Sequence, residues 1–185
     1  MPESRPPARR LFFALWPDPQ TAGRLESTGE QLHGICGGRL VRRDMLHMTL
    51  LFLGNIPEVR LDNLRRAAAR VSQAGFTLQI DRCAVWRHKQ LAWAGCSQAA
   101  PGLLTLVGDL DQRLRDEGVT IEAHKFVAHV TLARKASAVA LPTPAAAAFD
   151  WPVSDFVLVE SQLLPQGAHY AIIGRWPLLS AVGQG

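Results

Sequence analysis

Apolar residues fall along this chain in short runs separated by clusters of glycine, proline and charge. Residues 11–16, Leu-Phe-Phe-Ala-Leu-Trp, are apolar without a break, which suits a buried strand, and Pro17-Asp18-Pro19 closes it. Over 19–35, Leu25, Leu32 and Ile35 fall near one face of a helix whose stop is supplied by Gly34, Gly37 and Gly38. Residues 39–53 contain a strand ending in Leu50-Leu51-Phe52-Leu53 and closed by Gly54-Asn55. A second helix is expected over 58–74, followed by a hairpin of 76–86 with 91–96 around Arg87-His88-Lys89.

The second half repeats this order. Over 102–117, Leu103, Leu106, Val107, Leu110 and Leu114 line one helical stripe closed by Gly118, and 126–133 read as a strand. Residues 142–148 are a Pro- and Ala-rich connection, and 153–164 with 170–176 form a hairpin turning at Pro165-Gln166-Gly167. His47-Met48-Thr49-Leu50 aligns with His129-Val130-Thr131-Leu132 at an offset of 82 for every residue. Two copies of a unit are too few for a solenoid. The expectation is therefore a duplicated α+β fold whose halves face each other across a groove. It occupies residues 11–185 as a single bilobal domain, behind a disordered Pro/Arg tail over 1–10.

Composition narrows the picture. At 185 residues, with 48% hydrophobic and 19% charged residues, the chain can build a core and is not a disordered polypeptide. A formal charge of +4 suits an anionic ligand better than a cationic one. No stretch approaches the roughly 20 apolar residues of a membrane span. The six apolar residues after Arg9-Arg10 fall short of a secretion signal and read as the first strand. Three cysteines, Cys36, Cys83 and Cys96, lack CxxC spacing, so no disulfide scaffold or zinc ribbon is expected and a reducing cytoplasm is the default. Monomer is likewise a default.

The motif that carries chemistry is H-x-T-x, present twice. Side chains alternate along a strand, so His47 and Thr49 share one face while Met48 and Leu50 point into a core. His129 and Thr131 stand in the same relation to Val130 and Leu132. Two such copies offer two imidazoles and two hydroxyls to one groove from opposite sides. That arrangement suits in-line displacement at phosphorus, with one imidazole taking the proton of water and the other protonating the departing oxygen. The hydroxyls would bond the non-bridging oxygens as charge builds there. Metal binding is the competing use of histidine, but neither HxH, HExxH nor a nearby carboxylate pair is present; Asp44 and Glu122 are the nearest acids. No metal and no cofactor is expected.

The segments 47–54, His-Met-Thr-Leu-Leu-Phe-Leu-Gly, and 126–134, Phe-Val-Ala-His-Val-Thr-Leu-Ala-Arg, resemble the paired signatures of the two-histidine phosphoesterases. More narrowly, the chain is similar to the RNA 2′,3′-cyclic phosphodiesterases, also called 2′-5′ RNA ligase-like proteins. The opening strand and the segment 160–167 with Tyr170 carry the likeness over nearly the whole length. The resemblance implies two antiparallel sheets facing a central positive cleft, with helices outside. It also implies metal-free hydrolysis of a 2′,3′-cyclic phosphate on RNA or oligonucleotide ends to a 2′-phosphomonoester. By position, His47 would be the proton donor, His129 the proton acceptor, and Thr49 and Thr131 the phosphate holders. One departure is Ala128, where many relatives have a proline that stiffens the approach to the second histidine.

Further substrate contacts are expected at Arg134, read as sharing the face of His129 and Thr131, and at Arg42 with Arg43 before the first motif. Phe13, Phe52 and Trp16 are candidates for stacking on a base, with core packing the competing role for Phe13 and Phe52. His124 with Lys125 is a candidate for the groove rim. The same four groups would serve 2′-5′ RNA ligation or a small cyclic nucleotide. A non-catalytic RNA- or nucleotide-binding module is the alternative outside enzymes.

Overall fold

Asp18 starts the first helix by accepting the backbone N–H groups of Gln20 and Thr21 at 2.8 and 2.9 Å, with Pro19 preset in the first turn. The computed structural model describes residues 7–121, 126–137, 139–141, 146–165 and 167–180. In chain order the elements are β1 (Ala8–Leu15), α1 (Pro19–Cys36), β2 (Arg39–Leu40), β3 (Met48–Pro57), α2 (Leu61–Ala69), β4 (Phe76–Ile80), β5 (Arg82–Trp86) and β6 (Leu91–Gly95). They continue with α3 (Pro101–Asp116), β7 (His129–Arg134), β8 (Phe149–Val153), β9 (Asp155–Leu164) and β10 (Gly167–Pro177).

The strands run in the order β10-β9-β1-β3-β7-β6-β5, with β2 also beside β7, and every pairing is antiparallel. One lobe is β10-β9-β1-β3 and the other is β7-β6-β5. They meet where Met48 of β3 pairs with Val130 of β7. A small separate sheet pairs β4 with β8.

The helices interlock the lobes. α1 follows a first-lobe strand yet lies against β6 and β7 of the other lobe. α3 lies against β3 and β4 and buries Leu103, Leu106, Leu110 and Leu114 completely. Each such leucine contributes roughly 1.5–3 kcal/mol of burial.

Several boundaries differ from expectation. The tail does not extend to residue 10: Ala8, Arg9 and Arg10 pair with Pro57, Ile56 and Asn55, and Arg9 bridges Glu58 and Glu160. Residues 1–6 lie outside the described residues. The helix expected over 58–74 is shorter, because the chain beyond Ala69 bonds elsewhere. The Gln73 carbonyl accepts the Leu179 N–H at 2.8 Å, and the Gly75 N–H donates to the Leu179 carbonyl at 2.9 Å. The run 76–86 is two strands, broken at Asp81, whose carboxylate takes the Ser97 N–H and hydroxyl at 2.6 Å each. The connection over 142–148 falls largely outside the described residues, as does Gln166.

Candidate active site

Both histidines are held by the same local bond. His47, just ahead of β3, donates Nδ1–H to the Met45 carbonyl at 2.7 Å; His129, opening β7, donates Nδ1–H to the Val127 carbonyl at 2.8 Å. Each bond runs to the second residue back, fixes the neutral tautomer and leaves Nε2 as the ring nitrogen available to a ligand. Met48 and Val130, both fully buried, anchor the strands behind the rings. Ala128, ahead of the second histidine, is buried, and its carbonyl sits where a side chain on Gly95 would be.

Each motif then carries a bulge at the equivalent place. Register passes from Ala14–Thr49 to Phe13–Leu51 on one side and from Trp93–Thr131 to Ala92–Ala133 on the other. The additional residues, Leu50 and Leu132, are each 1% exposed. A bulge resets the alternation of faces. Leu51 and Ala133 therefore turn into the core with their neighbours, and the next residues, Phe52 and Arg134, emerge on the side of the histidines. Undistorted alternation would have put Arg134 on the face opposite His129 and Thr131. Arg134 lines the cleft because the strand is irregular, not because it runs on regularly.

The cleft has a volume of about 380 Å³ and brings together His47, Thr49, His129, Thr131, Arg134 and Arg42. Arg10, Arg39, Phe12, Phe52 and Tyr170 complete much of its wall, and no carboxylate lines it among the described residues. Arg42 stands at the rim with its guanidinium engaged by Asp44. Arg43 turns away, to the Pro19 carbonyl and Glu26, so its expected place in the cleft does not hold.

Phe13 is also corrected. It is fully buried against Phe156 and Trp176, whereas its neighbour Phe12 faces the cleft and packs on His47 and Tyr170. An unbroken apolar run offers no polar partner from which to choose the inward residue. Phe52 is 41% exposed on the cleft wall, with the Arg10 guanidinium 4.9 Å above its ring. His124 and Lys125 lie outside the described residues.

The imidazoles have unequal surroundings. Trp16 stacks on His47 at 5.3 Å and 6°, Phe12 lies at 5.0 Å and Tyr170 meets it edge-on at 5.2 Å. Burial among these rings, with a smaller contribution from the charges of Arg134 and His129, lowers the His47 pKa to about 4. His129 meets Trp86 edge-on at 4.5 Å, and burial, then the charge of Lys89, lowers its pKa. Trp16 was singled out in the sequence and Tyr170 only as part of the resemblance, whereas Phe12, Trp86 and Arg39 were not. Only their places in neighbouring strands reveal them.

A duplicated sheet that brings two imidazoles to one cleft is the architecture of a phosphoesterase. The family profile described as LigT like phosphoesterase matches this chain over residues 15–93 and again over 95–170, once for each half. An RNA 2′,3′-cyclic phosphodiesterase of Escherichia coli is 35% identical over 144 residues, 76% of this chain and 80% of the relative. One of Thermus thermophilus is 30% identical over 188 residues, 95% and 93% of the two chains. The crystal structure of E. coli LigT complexed with 3′-AMP superposes with a TM-score of 0.83 at 31% identity, covering 92% of this chain and 98% of that one. The chain belongs to the LigT-like phosphoesterase family.

Proposed function

We propose that this protein hydrolyses the 2′,3′-cyclic phosphate at an RNA end to a 2′-phosphomonoester, using His47 and His129 and no metal. The observation that carries the reading is the matched pair of Nδ1–H bonds, which leaves both Nε2 atoms available to the same cleft, lined by no carboxylate among the described residues. Neutral His129 takes a proton from water through Nε2 as the water oxygen attacks phosphorus. The bond from phosphorus to O3′ breaks, and protonated His47 delivers its Nε2 proton to O3′.

Thr49 and Thr131 donate hydroxyl hydrogen bonds to the non-bridging oxygens, and Arg134 adds fixed positive charge. Burial disfavours the charged form of both imidazoles in the free protein, and the anionic substrate favours the imidazolium that the reaction needs. Phe52 offers a ring to the terminal base. The assignment of acid to His47 and base to His129 follows the family resemblance. The reading is of a monomer working in the cytoplasm. The described cysteines are all free thiols, and among the described residues no helix is long and apolar enough to cross a membrane.

A dinucleotide ending in a 2′,3′-cyclic phosphate, incubated with the protein and a chelator, tests the proposal. Release of the 2′-phosphomonoester supports it. Binding without turnover overturns it in favour of an RNA-binding module.

A further inference from the structure

Arg39 and Arg134 are direct partners across the β2–β7 ladder, both exposed and both on the cleft wall. Among the described residues neither forms an ion pair with a carboxylate. Like charges set opposite each other on a sheet are destabilising, so this pairing costs stability unless an anion joins it. The backbone enforces it nonetheless. Gly38, at φ +94°, lies so close to the second motif that a Cβ there would be 2.6 Å from the Arg134 carbonyl. Hydrogen bonds from Val41 N–H to the Leu132 carbonyl, 2.8 Å, and from Ser137 N–H to the Cys36 carbonyl, 2.7 Å, flank the contact.

The two arginines differ in position. Arg134 lies on β7, the strand that also carries His129 and Thr131, whereas Arg39 lies on β2, beside that strand. Resting on the proposed hydrolysis of RNA ends, we infer that Arg39 is a specificity-determining residue that binds the internucleotide phosphate next to the cyclic one. A substrate with a cyclic phosphate has its next anionic group on the 5′ oxygen of the same nucleoside. In an oligonucleotide that group is a phosphodiester; in 2′,3′-cyclic AMP it is absent. Arg39 thus makes the protein prefer an RNA end to a cyclic mononucleotide.

The test compares kcat/KM for a dinucleotide ending in a 2′,3′-cyclic phosphate with that for 2′,3′-cyclic AMP. In Arg39→Ala the ratio of the two falls roughly tenfold, the size of one charged hydrogen bond. Its salt dependence on the dinucleotide weakens by about one phosphate contact. Arg39→Lys keeps part of the preference, and the melting temperature of Arg39→Ala is not lower than that of the parent, because a repulsion has been removed. An unchanged ratio, or a lower melting temperature with both substrates affected equally, overturns the inference while leaving the hydrolysis intact. No turnover of either substrate by the unaltered protein overturns the proposed reaction and this subsite with it.

Discussion

Met48 and Val130 stand at equivalent points of the duplicated unit, and they are also the residues through which the two lobes pair. The pseudo-twofold axis therefore passes between them. Their side chains are fully buried, so the residues on either side, His47 with Thr49 and His129 with Thr131, emerge together on the opposite face. The relative placement of the reacting groups is set by one hydrophobic pair.

Met48→Ala is expected to cost about 2–5 kcal/mol, the range for truncating a buried large side chain. It should also lower kcat under conditions where the variant is folded, since the joint carries both histidines. Leu103→Ala, equally buried on α3, should lose comparable stability with kcat close to that of the parent. Urea melts paired with single-turnover rates check this; equal kcat losses in the two variants would count against a special role for the joint.

His47→Ala and His129→Ala should each lower kcat by about 10² to 10⁴, the usual worth of a placed acid or base. The double variant should be little worse than either single one, because the two act in one step. Near-normal rates in either single variant would remove that residue from the mechanism.

The pH dependence follows from burial. One imidazole must be charged and the other neutral, and in the free protein both titrate below the usual 6.5, His47 at about 4. The profile of kcat/KM is therefore a bell centred below pH 6.5, falling through neutrality as the charged form is lost. A basic limb above pH 7.5 with chemistry rate-limiting would contradict it. Stability carries the matching signature. A histidine whose folded pKa is depressed leaves folding undisturbed above 6.5, and costs stability as the pH falls from 6.5 towards 4, where the unfolded chain takes up the proton first. The loss attributable to His47 is on the order of 3 kcal/mol when the window is fully crossed. Chemical melts of the parent and His47→Gln across this window measure it.

Trp16→Leu should raise the His47 pKa towards 6.5 by opening one side of its aromatic enclosure. Proton NMR of the imidazole resonances reads the shift directly, and no movement would show that Phe12 and Tyr170 suffice.

Much of this site was legible in the sequence because its logic is local. An H-x-T-x strand puts its polar residues on one face, and the offset of 82 announces two copies. What escaped depends on tertiary structure. Phe12 and Phe13 are indistinguishable within a strand covered on both sides. The bulges at Leu50 and Leu132 reverse the facing of Phe52 and Arg134, and no residue type in either motif signals them. Arg39 gains meaning only from its partner across the ladder. The run 76–86 breaks at Asp81, whose carboxylate holds Ser97 from another part of the chain, and β4 pairs with β8, a strand much later in the sequence.

The two bulges have a chemical corollary. Four reacting groups related by a twofold axis would accept a cyclic diester in either of two opposed poses, which differ in whether O2′ or O3′ is expelled. Phe52 and Arg134 hold equivalent places on the two sides, and one is an aromatic ring while the other is a cation. Under the proposed reaction, this mismatched pair joins the unequal surroundings of the two imidazoles in selecting one pose, and exchanging the two residues should erode the single-isomer outcome.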